Sequence, residues 1–416
     1  GGLSSIQWFN QDDLLKGQSY HNLAAEIDYY EHFSGTEAGL ENNWGLDPDT
    51  QIGGIYYQDF DPALYTYVSG SNLGGAVTRS EADIQEGEFS LFHFRLNESS
   101  ADPYNPINPP GDPAASIGLT NGSENFQLWI EADTSHQYGV WLCNTNNDCN
   151  ATGTELLAPG SFEENRWYAA IFQVDEGGSL KVKLWQLDEP ENAAEDQLGG
   201  FTAESNWKYQ HQLRSGALYI DSYMEGILYQ ETETSYQSSI QYDTIANNGI
   251  PDLASTKLNS YLDLQIAWNT ISQVTTRSYE GSVRWVGTQT QYSYTSALNY
   301  GNLESQTESE WDGSAWSAFR QNRYLYYPFA DSSHYLVSLP ASQEQYRCEN
   351  ADCSNRVLTA ATRFLFDNNT TYQAAPTAGL LTTQRVLLTD SPATYQDTHY
   401  EYDSVGNIVQ ITNYRE

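Results

Sequence analysis

Three carboxylates fall within six residues in the string Glu26-Ile27-Asp28-Tyr29-Tyr30-Glu31. Two carboxyl groups about 5–5.5 Å apart can cleave a glycosidic bond with retention, one attacking as nucleophile and the other serving as acid and then base. A bulged strand would be needed to turn Glu26 and Glu31 into one cleft, on a concave sheet lined with Trp. Only 25 residues precede the string, too few for the strands that must flank it, and with 55 Asp and Glu in 416 residues, close carboxylates are common. The default reading is a solvated face of a helix or edge strand, and no catalytic residue is assigned.

Other chemistry is thinly represented. His21, His32, His93, His136, His211, His334 and His399 stand apart, none in a nucleophile-elbow or zinc-protease string. Gly53-Gly54 and Gly74-Gly75 lie between strand-like runs and read as turns, not phosphate cradles. Trp129, Trp141, Trp185 and Trp207 are candidates for stacking on sugar rings, as are Trp311 and Trp316. Strand alternation favours core packing for the first three, and Trp311 and Trp316, flanking an Asp-Gly turn, are expected to clasp a hairpin. Neither a metal nor a cofactor is expected. Calcium is the one cation considered: Asn247-Asn248-Gly249-Ile250-Pro251-Asp252 resembles the end of a thrombospondin type 3 calcium loop, but Thr244 and Ala246 stand where carboxylates are needed, and an Asn-Gly turn is the default.

Cys143 with Cys149 and Cys348 with Cys353 read as two disulfide-clipped turns, since neither spacing is a zinc knuckle and no His is near in sequence. Asn-x-Ser/Thr sequons at Asn97, Asn121, Asn150, Asn368 and Asn369 fit surface loops of an exported chain. The formal charge of −37 repels phosphate backbones and anionic lipid, so neither nucleic acid nor a membrane surface is an expected partner. No uncharged apolar run reaches the ~18–20 residues of a spanning helix. The start, Gly1-Gly2-Leu3, lacks a signal-peptide pattern, so an exported chain is expected here in processed form.

Those residues must be held by β-structure. Short alternating runs bounded by Gly, Pro, Asn and Asp recur, as in Glu88 to Leu96 and Leu180 to Trp185, whereas helical periodicity is confined to residues 12–31, an even choice between helix and strand. Apolar residues are sparse, so burial must lean on aromatics, 13% of the chain. Over 50–230 the order of runs, with Arg166-Trp167-Tyr168, the turn Val174-Asp175-Glu176-Gly177-Gly178, Lys183-Leu184-Trp185 and a closing Leu218-Tyr219-Ile220-Asp221, resembles the concanavalin/laminin-G type of jelly roll. Within that fold class, the carboxylate string is similar to the Glu-x-Asp-x-x-Glu strand of laminarinase/lichenase-type β-glucanases.

The last third repeats itself. Tyr292-x-Tyr294 precedes Gly301-Asn302, Phe364-x-Phe366-Asp367 precedes Gly379-Leu380, and Tyr400-x-Tyr402-Asp403 precedes Gly406-Asn407-Ile408. Alternate rings share a strand face, and Asp with Gly-Asn closes a tight turn. Tyr400-Glu401-Tyr402-Asp403-Ser404-Val405-Gly406-Asn407-Ile408 resembles the RHS/YD-repeat family, the shell-forming repeats of bacterial RHS proteins, insecticidal toxin complexes and teneurins. The resemblance implies a secreted or surface-displayed architecture.

The expectation is therefore an all-β chain: an N-terminal segment (1–49), a jelly-roll β-sandwich (50–230), transition or linker strands (231–284) and a curling antiparallel sheet of YD-type β-hairpins (285–416). It is expected to be a non-catalytic extracellular structural protein, a shell, adhesin or filament segment, associating with itself or with further repeats through strand edges. Alternatives are a glycan-binding jelly roll and a β-glucanase-like hydrolase using Glu26 and Glu31. An open edge is expected at Asn413-Tyr414-Arg415-Glu416, where the repeat stops in mid-pattern.

Overall fold

The computed structural model describes the strands named below, a few of their connecting turns, and the turns between 301 and 415 apart from 328–337 and 391; the longest other stretches outside the described residues are 8–18, 34–43, 98–113, 199–207 and 243–264. No helix occurs among the described residues, so none is long and apolar enough to cross a membrane. The chain divides into two compact units, Gly1–Glu233 with Ser278–Trp285, and Thr234–Arg277 with Val286–Glu416.

The first unit contains β1 (Ile6–Gln7), β2 (Ser19–Glu31), β3 (Trp44–Leu46), β4 (Gln51–Gln58), β5 (Asp61–Tyr67), β6 (Gly75–Arg79), β7 (Glu88–Asn97), β8 (Ala114–Thr120), β9 (Asn125–Ala132), β10 (Tyr138–Cys143), β11 (Thr154–Phe162), β12 (Tyr168–Val174), β13 (Leu180–Gln186), β14 (Ala194–Leu198), β15 (Lys208–Leu213) and the first part of β16 (Ala217–Tyr242). One antiparallel sheet runs β3–β6–β15–β8–β9–β10–β11. The other runs β4–β5–β16–β7–β12–β13–β14, with β2 also on β16 and β1 on β2.

Alternation along the strands builds the core between these sheets. Phe92, Phe94, Tyr168, Phe172, Leu184 and Tyr223 point inward from one sheet, Phe126, Leu128, Ile130, Val140 and Tyr209 from the other, and all are buried. Aromatics carry the packing as expected: Phe92 contacts the rings of Phe172, Tyr209 and Tyr223 at centroid distances of 6.0, 5.2 and 4.9 Å. At β16 the sheet closes so tightly that a Cβ on Gly226 would sit 1.9 Å from the Glu26 carbonyl oxygen, so only glycine fits.

Helix, one of the two choices for residues 12–31, is not what forms over the described part. Residues 12–18 lie outside the described residues, and Ser19–Glu31 is a strand. The reason is tertiary: Leu23, Ala25 and Ile27 alternate onto the outer face of the second sheet, packing with Phe89, Leu91, Ile171, Trp185, Met224 and Leu228.

In the second unit, β17 (Gln265–Glu280, to Arg277 here) is followed by β18 (Arg284–Tyr294), β19 (Leu303–Trp311), β20 (Trp316–Tyr326), β21 (Pro340–Cys348), β22 (Arg356–Phe366), β23 (Leu381–Asp390), β24 (Ala393–Tyr402) and β25 (Ile408–Arg415). From β18 on, each strand pairs antiparallel with the next, a meander of seven successive junctions. Most side chains on both faces are only half-buried. Among the described residues of this unit one apolar cluster gathers Tyr327, Ala341 and Phe366 with Leu339, Phe364, Tyr372 and Leu381. Cross-strand hydrogen bonds supplement it: Gln321 to Thr307 at 2.9 Å, and Arg385 bidentate to Asp397 at 2.8 and 2.6 Å.

Candidate functional site

On the outer face of the second jelly-roll sheet, alternation aligns Lys183 with Trp185 on β13 and Glu231 with Glu233 on β16. Lys183 Nζ donates to Glu231 Oε1 at 2.9 Å and to Glu233 Oε2 at 3.2 Å. His21 Nδ1 lies 3.2 Å from Glu231 Oε1, the Tyr279 hydroxyl donates to Glu231 Oε2 at 3.1 Å, and the His21 ring stacks on Trp185 with centroids 4.5 Å apart. One ligand atom each from His21, Glu231 and Glu233 falls within 4.8 Å of the others, a spacing that could hold a metal ion. The Lys183 ammonium, however, already lies between the two carboxylates. The arrangement is a buried ion-pair network fastening β2, β13 and β16 to one another. Sequence reading set His21 aside as isolated, because its partner lies 210 residues away.

A second pair was equally invisible in sequence. The register of β16 against β7 shifts between Ile220 and Ser222, and this bulge aims Asp221 at His93, with which it pairs. Trp167 packs on the His93 ring, and the Arg95 guanidinium lies between the rings of Trp167 and Tyr219 at 4.9 and 5.0 Å. Inside the sandwich, Arg79 donates to Glu225 at 2.6 Å and covers the Tyr29 ring at 3.2 Å. Burial pushes the Glu225 carboxyl up and drives His211 down to about 4, so that imidazole is neutral in the core.

The carboxylate string lies on β2. Ile27 packs on the outer cluster and Tyr29 on the inner one, so alternation breaks between them. Glu26 and Asp28 are exposed, and Glu26 Oε2 accepts the Tyr229 hydroxyl at 2.8 Å. Glu31 is half-buried with both oxygens engaged, accepting the Tyr29 hydroxyl and the Phe33 amide at 2.9 Å each. Trp129, Trp141 and Trp185 are buried, as expected from strand alternation; Trp207 lies outside the described residues. Trp311 and Trp316 pair directly across β19 and β20, rings 5.5 Å apart, closing the Asp312 turn.

Both disulfides form as expected, Cys143–Cys149 and Cys348–Cys353. The first packs with Trp129 and Trp141, the second clips the β21–β22 tip. Among the sequons, Asn121 Oδ1 caps its own turn by accepting the Glu124 amide, Asn368 is exposed, and Asn369 donates to the carbonyls of Ala374 and Ala375. Asn150, the Asn97 side chain and the 247–252 calcium-like turn lie outside the described residues.

The repeat motif residues sit at equivalent places. In β18–β19, β22–β23 and β24–β25 the register slips just before the second aromatic, at Tyr294, Phe366 and Tyr402. A fourth hairpin missed in sequence, β20–β21 with Tyr324 and Tyr326, slips at the same place. In all four, the following residue's amide donates across the hairpin: Thr295 to Asn302, Tyr327 to Leu339, Asp367 to Leu380 and Asp403 to Asn407. Gly301 and Gly406 both take positive φ, and Gly406 (φ 88°) bends the chain so that Asp403 Oδ1 accepts the amides of Val405 and Asn407 at 2.9 and 2.8 Å. At Asp367, partial burial pushes the carboxyl up. Four backbone N–H groups, from Thr377, Ala378, Gly379 and Leu380, outweigh this and hold it below the ordinary carboxylate value.

The chain is thus an all-β protein with a disulfide-clipped jelly roll. No family model matches it, and neither does any curated protein. Solved structures with which it shares part of its fold include a protein of unknown function from Shewanella oneidensis MR-1, at 14% identity over 53% of this chain and 90% of that one, TM-score 0.35. The carbohydrate recognition domain of Emp47p aligns at 12% identity over 45% and 89%, TM-score 0.29. A Bacteroides ovatus GH16 protein in complex with a glucan product aligns at 7% identity over 48% and 100%, TM-score 0.32.

Proposed function

We propose that the chain is a non-catalytic extracellular scaffold, a jelly roll carrying an RHS/YD-type meander that extends by adding strands at its edge. The observation that carries this reading is the register slip just before the second aromatic shared by four alternate hairpins of the meander, each closed by the same cross-strand amide bond. Two disulfides support an oxidising compartment. Among the described residues β25 pairs only with β24, and its Ile408, Val409 and Ile411 are 52%, 62% and 58% exposed. Edge strands of soluble proteins are usually blunted by charge or proline, yet Arg415 is the one charged residue of this strand. In a chain of net charge −37, a nearly neutral edge is where a second copy can approach without repulsion. Light scattering across a concentration series tests this: mass should rise with concentration, and Val409→Lys with Ile411→Lys should return the protein to a monomer. A monomer at every concentration overturns the edge-pairing half of the reading. No reducing ends should be released from β-glucans; their release, lost in Glu26→Gln, would overturn the non-catalytic half.

A second reading, a glycan-binding jelly roll, is favoured by one patch: Tyr30 and Tyr229 are 44% and 49% exposed beside Glu26 and Asp28. Rings stack on pyranose faces while carboxylates take hydroxyls. Binding on a glycan array that disappears in Tyr229→Ala would establish it, and array silence would end it.

A further inference from the structure

A shallow pocket of about 210 Å³ opens across β20, β21 and β22 in the second unit. Strand register explains its lining. Asn322 lies opposite Gln345, which lies opposite Ala360; beside this row Tyr324 lies opposite Gln343, which lies opposite Thr362. These six residues share one sheet face, and all line the pocket. Arg323 and Glu344, also at its wall, are opposite each other in the intervening row and so belong to the other face, where Glu344 accepts the Tyr346 hydroxyl at 2.6 Å. The open face of the pocket therefore carries no net charge, in a molecule whose surface is overwhelmingly acidic.

The hydrogen-bonding groups there are set out in advance. Gln345 Nε2 donates to Asn322 Oδ1 at 3.2 Å, which fixes both amides and leaves Asn322 Nδ2 as donor and Gln345 Oε1 as acceptor. The Gln343 amide, the Thr362 hydroxyl and the Tyr324 hydroxyl have no side-chain partner among the described residues. Ala360 is exposed and supplies a methyl floor where a longer side chain would fill the space.

Elimination narrows the occupant. The six lining residues on this face include neither a cation nor a carboxylate, the charges in the next row of the same face are paired with one another, Arg320 with Glu308 and Arg347 with Glu349, and an apolar ligand would strand several amides. What fits is a neutral molecule rich in hydroxyls with a ring face to lay against tyrosine. We propose that this trough is a binding site for an uncharged hexose oligosaccharide, separate from the scaffold role and from the Tyr30–Tyr229 patch.

Calorimetric titration of the full chain with cello-, malto- and mannotriose tests it. At least one should bind with a dissociation constant on the order of 1 mM or tighter. Gln343→Ala, which removes one amide from an exposed position, should weaken that binding about 5–10-fold. Ala360→Trp should abolish it, with far-UV circular dichroism confirming the fold; if that variant fails to fold, Gln343→Ala carries the test alone. Absence of binding by all three sugars overturns the proposal. So does binding that survives Gln343→Ala and Ala360→Trp unchanged, and loss in Tyr229→Ala would then assign it to the jelly roll.

Discussion

Phe92 and Tyr324 are both mid-strand aromatics, yet their surroundings differ in kind. Phe92 is 1% exposed between two sheets and touches three rings; Tyr324 lies half-buried on one face of a single meander. The jelly roll derives its stability from side chains removed from water between layers, whereas the meander rests on local ladders, bulges and capped turns repeated from hairpin to hairpin. The sharpest way to break this contrast is truncation. Phe92→Ala should destabilise the first unit by about 3–5 kcal/mol, as large core truncations do. Tyr324→Ala should cost the second about 1 kcal/mol or less. Guanidinium unfolding followed by hydrogen exchange in each unit measures both, and similar losses would mean that the meander has a core of the same kind.

Acid should separate the units next. Burial holds His211 at about 4 in the folded jelly roll, against roughly 6.5 when unfolded. As pH falls below 6.5 the unfolded chain takes up a proton that the native imidazole refuses, so stability declines until about pH 4 and then levels. The shift corresponds to a loss of about 3 kcal/mol over that window. Asp367 and Asp397 in the meander behave differently. Arg385 holds Asp397 low, and the turn amides hold Asp367 low, so their stabilisation is intact above the unfolded value near 4 and lost only as pH falls through the lower folded values. The jelly roll should therefore weaken between pH 6.5 and 4, with the meander following below 4. Fluorescence- or exchange-detected unfolding at stepped pH checks the order, and His211→Leu should flatten the first slope.

The same contrast explains what could be read from the residues in order. Strands such as Phe89 to Leu96 and Leu180 to Trp185 announce themselves because one face is buried and the other is not, and the clipped turns follow from two short cysteine spacings. The hairpins at Tyr292, Phe364 and Tyr400 were legible because aromatic alternation and turn chemistry are local. The fourth hairpin was not, since Tyr326 is followed directly by Tyr327 and not Asp, and by a long connection without Gly-Asn, leaving Tyr324-x-Tyr326 as its one signal. Nothing local joins His21 to Glu231, or His93 to Asp221, because sheet topology and a single bulge create both pairs. The strand at 19–31 competed with helical spacing and won through packing on β7, β12 and β16, which a single-segment pattern does not contain. The amide-lined trough was also illegible, because it needs the register of three strands, not any one of them.

Turn capping gives a smaller, more local test. Asp367 gathers four backbone amides into one carboxylate, and with partial solvent screening its replacement in Asp367→Ala should cost the second unit about 1–2 kcal/mol. The loss should concentrate in the β22–β23 hairpin. Asp367→Asn keeps an acceptor without the charge and should recover part of it. Amide exchange in residues 364–384 is the readout. A loss spread evenly over the whole meander would show that its hairpins fold as one block.

The finest distinction lies at the Trp311–Trp316 clasp. The rings meet edge to face across the tip of β19–β20, and Asp312 accepts the amides of Ser314 and Ala315 inside the same turn. An aromatic pair of this kind adds roughly 0.5–1.5 kcal/mol beyond the area it covers. In a layered sandwich such a loss would be felt globally, because its neighbours share one core. In a meander whose backbone ladders join only sequence neighbours, Trp316→Ala should instead raise exchange at 309–318, with little change beyond β21, and leave the jelly roll untouched. Exchange that rises as far as β24 would mean that the repeated hairpins are coupled along the sheet, and that the difference between the two units is one of depth of burial alone.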